Sequence, residues 1–87
     1  MNIEFNEVYT LKIVNGDEVV AKIVDMEFDQ YHLKQPVTVI PGQQGVQLIP
    51  SLFTAELDET VLVNKNSIAM ITRTRSQVRD SYVEATT

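Results

Sequence analysis

The sequence predicts a small all-β protein: a strongly bent, five-stranded antiparallel barrel, with a short C-terminal helix or tail and at most one helical turn at the N-terminus. Three observations carry this. Val8–Val14 and Asp17–Phe28 are β-rich runs joined by Asn15-Gly16, a strong short-hairpin signal, because both residues tolerate the positive φ of a tight type I′ turn. Further short apolar runs, punctuated by glycine, proline and asparagine, follow to Thr72. The second run changes phase part-way, which a strand of period two does only by taking in an extra residue.

The elements follow in order. Residues 1–7 are mixed, with room for a turn or two of helix at most; Ile3 and Phe5 either pack on the sheet or fray. In the first strand Tyr9, Leu11 and Ile13 share a face, and Val8, Thr10, Lys12 and Val14 share the other. Some apolar character on each face suits a sheet partly covered on both sides. In the second strand Val19, Ala21 and Ile23 alternate with their neighbours. Met26 and Phe28 then carry the apolar set, so a β-bulge is expected near Val24 or Asp25. The third strand alternates through Tyr31, Leu33, Val37 and Val39. Pro36 has no N–H for a ladder and makes this stretch interrupted, bulged or an edge. Pro41–Gly45 reads as a loop, Val46–Ala55 as a strand broken at Pro50, and Glu56–Glu59 as an acidic turn. Thr60–Val63 and Ile68–Thr72 are short strands around the polar turn Asn64–Ser67. From Ser76 the alternation stops. Val78 and Tyr82 stand four apart, as in a helix that Ser76 caps, but a strand or tail fits as well, and Ala85-Thr86-Thr87 is expected to be disordered. The chain therefore divides into an N-terminal segment (1–7), a barrel (8–75) and a C-terminal helix or tail (76–87).

With 87 residues this is one domain whose limited core favours association with copies of itself. Cysteine is absent, which excludes disulfides and thiolate metal sites. MNIEFNEVYT has neither the basic nor the apolar region of a signal peptide, and no apolar run is long enough to span a bilayer. A cytoplasmic protein is expected. The net charge of −5 gives no bulk attraction to nucleic acid, although Arg73, Arg75 and Arg79 form a local basic group.

No enzyme is expected. His32 lacks partners at the spacing of a triad or metal site, and its reading is a surface or interface histidine. Asp17-Glu18 and Asp58-Glu59 are neighbours that diverge along a strand, so they read as exposed loop charge. No phosphate-cradling glycine loop, nucleophile elbow or zinc spacing is present, and no cofactor or metal is called for.

Over residues 8–72 the pattern resembles the Sm-like (LSm/Hfq) family, and in particular small Sm-like proteins of tailed marine phages of the cyanophage type. Gly16 stands where the family's first motif opens strand two, Val19 and Ile23 hold its apolar positions, and Ala21 its small one. Asp29 matches the Asp that ends the strand, two residues late, and Tyr31 matches the residue that stacks on a base in RNA-binding members. The position that reads the base edge holds Leu33 instead of Asn. The apolar-Arg-Gly turn of the second motif reads Val63-Asn64-Lys65, so that Lys65 keeps a charge near the pore. The resemblance implies a bent barrel and a homo-oligomeric ring of roughly five to seven copies, joined strand four to strand five. It also implies binding of single-stranded RNA, with Tyr31, Asn64 and Lys65 as the RNA-binding residues and Asn15-Gly16 as a structural turn. If the chain is phage-encoded, its compartment is the cytoplasm of the bacterial host. Two other readings stand beside this one. The first is a phage adaptor or assembly factor that keeps the ring, has lost the RNA site and binds a host or phage protein. The second is a monomeric barrel of the SH3 or OB type.

Overall fold

The computed structural model describes residues 2–87. Its elements are β1 (Glu7–Ile13), β2 (Glu18–Met26), β3 (Gln30–Gly42), β4 (Gly45–Pro50), β5 (Thr60–Asn64), β6 (Ile68–Arg73) and α1 (Ser76–Thr86), with a 3₁₀ turn over Lys65–Ser67 between β5 and β6. The strands form one antiparallel sheet in the order β4-β3-β2-β1-β6, and β5 pairs with β3. The all-β, bent antiparallel class holds, with six strands in place of the expected five. The sixth is β4, which falls in the Val46–Ala55 stretch read as a strand from the sequence, and β3 runs further than expected, to Gly42. The Pro41–Gly45 stretch expected as a loop is a hairpin, in which Gly42 pairs with Gly45 and only Gln43 and Gln44 turn. β4 ends at Pro50, well short of Ala55.

Two bulges bend this sheet. Between Ile23 and Asp25 the β2–β3 register slips, leaving Val24 as the extra residue expected from the phase change. A second slip, between Val20↔Val37 and Lys22↔Lys34, puts the extra residue on β3 at Gln35-Pro36, where Gln35 takes φ +48°. That extra residue moves every later side chain to the other face. Leu33 packs in one core cluster, while Val37 and Val39 pack in another. The bulge also splits the outer side of β3: β5 pairs with Gln30–Lys34 and β4 with Val37–Gly42.

The first cluster is built from Tyr9, Leu11, Val19, Ala21, Ile23 and Leu33, with Ile3 packed against it. Each fully buried aliphatic side chain here contributes roughly 1.5–3 kcal/mol. The second cluster holds Val8, Val20 and Val37 on the opposite face of the sheet, covered by α1 through Tyr82. Only Tyr82 of the helix is fully buried. Its hydroxyl accepts from the Lys22 N–H (3.2 Å) and donates to the Lys34 carbonyl (2.8 Å), so it bridges β2 and β3 beside the second bulge.

Several local expectations change. The β1–β2 connection is not a two-residue type I′ turn. Val14 and Asn15 are its central residues, closed by Gly16 N–H to Ile13 carbonyl (2.9 Å), and Gly16 alone takes positive φ (+102°). Asn15 accepts from the Asp17 N–H through Oδ1 (2.9 Å), an Asx contact that favours this wider turn. Among the described residues no helix precedes β1, within the limit of at most one helical turn. Ser76 is the first helical residue rather than the cap; Arg75 occupies the cap position and makes no side-chain cap bond. Ala85 and Thr86 belong to the helix, where the Thr86 hydroxyl donates to the Tyr82 carbonyl (2.8 Å). Among the described residues, no helix is long and apolar enough to cross a membrane.

Candidate nucleic-acid interface

The β3–β5 register decides which polar residues meet. Tyr31 pairs with Val63, and Gln30 with Asn64. The next residue, Lys65, begins the 3₁₀ turn and is fastened to the β2–β3 turn by its N–H, which donates to the Asp29 carbonyl (2.8 Å). Lys65 Nζ lies over the Tyr31 ring, 4.9 Å from its centroid, within cation–π range. Two of the three expected RNA-binding residues therefore touch, although they are 34 positions apart in the chain (65 − 31). Asn64 is adjacent but its side chain is used locally: Oδ1 accepts from the Asn66 N–H (2.8 Å) and caps the turn. Leu33, at the base-reading position of the resemblance, is 3% exposed within the first cluster and touches no solvent-facing ligand site.

The β2–β3 turn beside this pair carries a second polar group. Glu27 Oε2 meets His32 Nε2 at 2.8 Å and accepts from Gln30 Nε2. These bonds, the His32 one foremost, hold the Glu27 carboxyl below the usual carboxylate range. The sequence alone offers His32 no partner, and Glu27 is the residue it misses. The signal was the hairpin register, in which Asp25 opposes His32 and the chain reverses over 27–30. Phe28 stands at the tip of this turn, fully exposed to solvent. Among the described residues no group of three or more His, Asp or Glu gathers in a metal-binding arrangement.

A concavity lies elsewhere on the sheet. It is a cleft of about 350 Å³ where β3 splits its outer partners, lined by Pro36, Leu48, Leu57, Val61 and the end of α1. The 51–59 loop beside it exposes Leu52, Phe53 and Leu57 and carries Glu56, Asp58 and Glu59. Lys34 Nζ donates to the Asp58 carbonyl and ties the loop to β3. Sequence reading saw the acidic turn but not the cleft, which depends on the bulge at Gln35-Pro36.

Fold and site together define a class: a small, bent antiparallel β-sheet protein closed on one face by a C-terminal helix, with an aromatic–lysine pair at one end. No protein-family model matches the chain, and no curated protein matches it.

Proposed function

We propose that the chain assembles into a homo-oligomeric Sm-like ring, phage-encoded and working in the bacterial cytoplasm, that binds single-stranded RNA as part of RNA metabolism. The observation that carries this is the Lys65–Tyr31 pair. A base stacked on the Tyr31 ring takes the place of the Lys65 ammonium, which then meets the base's phosphate. Stacking contributes about 1–3 kcal/mol per base. The pair is repeated in every subunit, so a weak single site gains strength through multivalency. The acidic body supplies no general attraction, and affinity therefore rests on this local contact.

The test is fluorescence anisotropy with a labelled single-stranded RNA oligomer. Tyr31→Ala and Lys65→Ala are each expected to weaken binding about tenfold, within the stacking range above. Unchanged affinity in both variants would refute the assignment. The companion measurement is solution mass together with the ultraviolet spectrum, before and after a high-salt wash. A ring mass with nucleic-acid absorbance that salt removes supports RNA binding.

A second reading keeps the ring but makes it an adaptor for a host or phage protein. The apolar cleft beside Leu52, Phe53 and Leu57 favours it, as does Leu33 in place of a base-reading side chain. A ring mass with a clean protein spectrum and a stoichiometric partner from infected-host extract supports this alternative.

A further inference from the structure

The bulge at Gln35-Pro36 parts the outer partners of β3 and leaves the cleft of about 350 Å³ between the end of β4 and the start of β5. Its walls are apolar, with Leu48, Pro50, Leu52, Leu57 and Val61 among them. The volume lies at the small end of the range for ligand sites, ~300–1,000 Å³, and suits a few side chains of a short segment rather than a whole helix face. Leu52 is 50% exposed and Leu57 74%, so the rim holds apolar surface in water that neither core cluster uses.

The charged groups at this cleft share one sign. Glu56 and Glu59 line it, held in one turn by the Glu59 N–H, which donates to the Glu56 carbonyl (3.3 Å). Among the described residues neither makes an ion pair. Lys34 reaches the loop, but its ammonium donates to the Asp58 carbonyl and pairs with neither carboxylate. The end of α1 adds to the same sign: Ala85 and Thr86 line the cleft, and the last turn carries no basic side chain. A helix C-terminus is the negative pole of its dipole. We propose that the cleft docks a cationic amphipathic peptide segment of another protein, with an apolar side chain seated between Leu48 and Val61 and a neighbouring lysine or arginine on Glu56 and Glu59. The proposal rests on the adaptor reading and names the chemistry of its partner.

Charge decides against the other occupants. A nucleic acid would bring its phosphates against two carboxylates and a helix C-terminus. A second copy would have to present an apolar group beside a cation, but its fully exposed aromatic, Phe28, stands among Asp25, Glu27 and Asp29. A neutral apolar ligand would use the walls and leave Glu56 and Glu59 without a partner. A lysine or arginine next to an apolar anchor uses both, because its methylene stem lies along apolar surface while its charge reaches the rim. The anchor then supplies most of the affinity, and the ionic contact fixes orientation and speeds encounter.

Selection of a random displayed-peptide library on the full chain tests this. The enriched peptides are expected to set a bulky apolar residue beside lysine or arginine. Fluorescence anisotropy with one such labelled peptide is expected to show binding about tenfold weaker to E56K/E59K, which sets like charges face to face. A comparable loss is expected in A55W, whose added ring fills the cleft. The same peptide with its cations changed to glutamate is expected to prefer E56K/E59K to the wild type. Higher salt is expected to weaken the wild-type complex. Circular dichroism confirms that both variants are folded. Enrichment of acidic or uncharged peptides, no enrichment, or unchanged affinity in both variants overturns the proposal. Self-association of the chain alone that E56K/E59K abolishes also overturns it, because the cleft then belongs to a second copy. A stoichiometric partner from infected-host extract that binds wild type and E56K/E59K equally overturns the cleft and leaves the adaptor reading standing. Absence of any such partner for either form overturns the adaptor reading itself.

Discussion

The Tyr82 hydroxyl is the one polar group of α1 that reaches the core, and its two bonds bridge Lys22 and Lys34. Tyr82→Phe leaves the Lys22 N–H without this acceptor and is expected to cost about 1–3 kcal/mol in urea denaturation. Burial raises the Tyr82 phenol above its ordinary value, opposed in part by the Lys22 bond. The neutral form is therefore favoured by folding. Its contribution is fully present below the unfolded value of about 10 and is lost as pH rises through the higher folded value. Stability followed by circular dichroism should fall in this alkaline window for the wild type, and less steeply for Tyr82→Phe. The opposite sign applies to Glu27, whose carboxyl is lowered first by His32 and then by Gln30. Its contribution is present above the ordinary carboxylate value and is lost as pH falls through the lowered one. His32→Ala should move Glu27 back toward the ordinary value in a carboxyl-carbon NMR titration, with the Gln30 bond keeping part of the shift.

At the scale of the element, β3 holds the most information. Gln35 sits at φ +48°, where a side chain costs roughly 1–2 kcal/mol that glycine avoids. Gln35→Gly should be neutral or stabilising by up to about 1 kcal/mol, since glycine's greater freedom in the unfolded chain offsets part of the relief. Gln35→Val should destabilise, because a β-branched residue is poorly tolerated there. Deleting Gln35 should leave Val37 and Val39 on their present face, because three residues without a bulge reverse the face as four residues with one do, but it should destabilise by removing the bend and setting Pro36 in the regular ladder. Denaturation midpoints for the two substitutions and the deletion check these outcomes. The strands themselves were legible: Tyr9 with Leu11, and Val19 with Ala21 and Ile23, alternate as the first cluster requires, and the phase change marked the Val24 bulge. Pro36 marked the second interruption, but not the change of face it causes. The helix was legible in part: Val78 and Tyr82 stand four apart and both meet the second cluster, but only Tyr82 is fully buried, so a strand or tail fitted the sequence as well. Lys65 over Tyr31 was legible as two residues but not as a contact, because the β3–β5 register is non-local.

For the whole molecule the question is what the free edges do. The chain keeps Leu62, Met70, Leu57 and Phe53 at its surface, on β5 and β6 and in the loop before β5. A small chain has little core to offset such exposure, and edge pairing would cover the two mid-strand residues. Pairing also satisfies the outward N–H groups of both strands, and this separates it from side-chain association. Amide hydrogen exchange therefore gives a direct reading. If copies join through these edges, exchange at the outward amides of β5 and β6 should slow as protein concentration rises. The outward amides of β4 should exchange at a rate independent of concentration, because that edge has no opposed partner. Protection that instead appears on β4, or that is uniform over all strands, would place the contact elsewhere. The outward edges are where any assembly would report itself, since β1 and β2 are already paired on both sides within the chain.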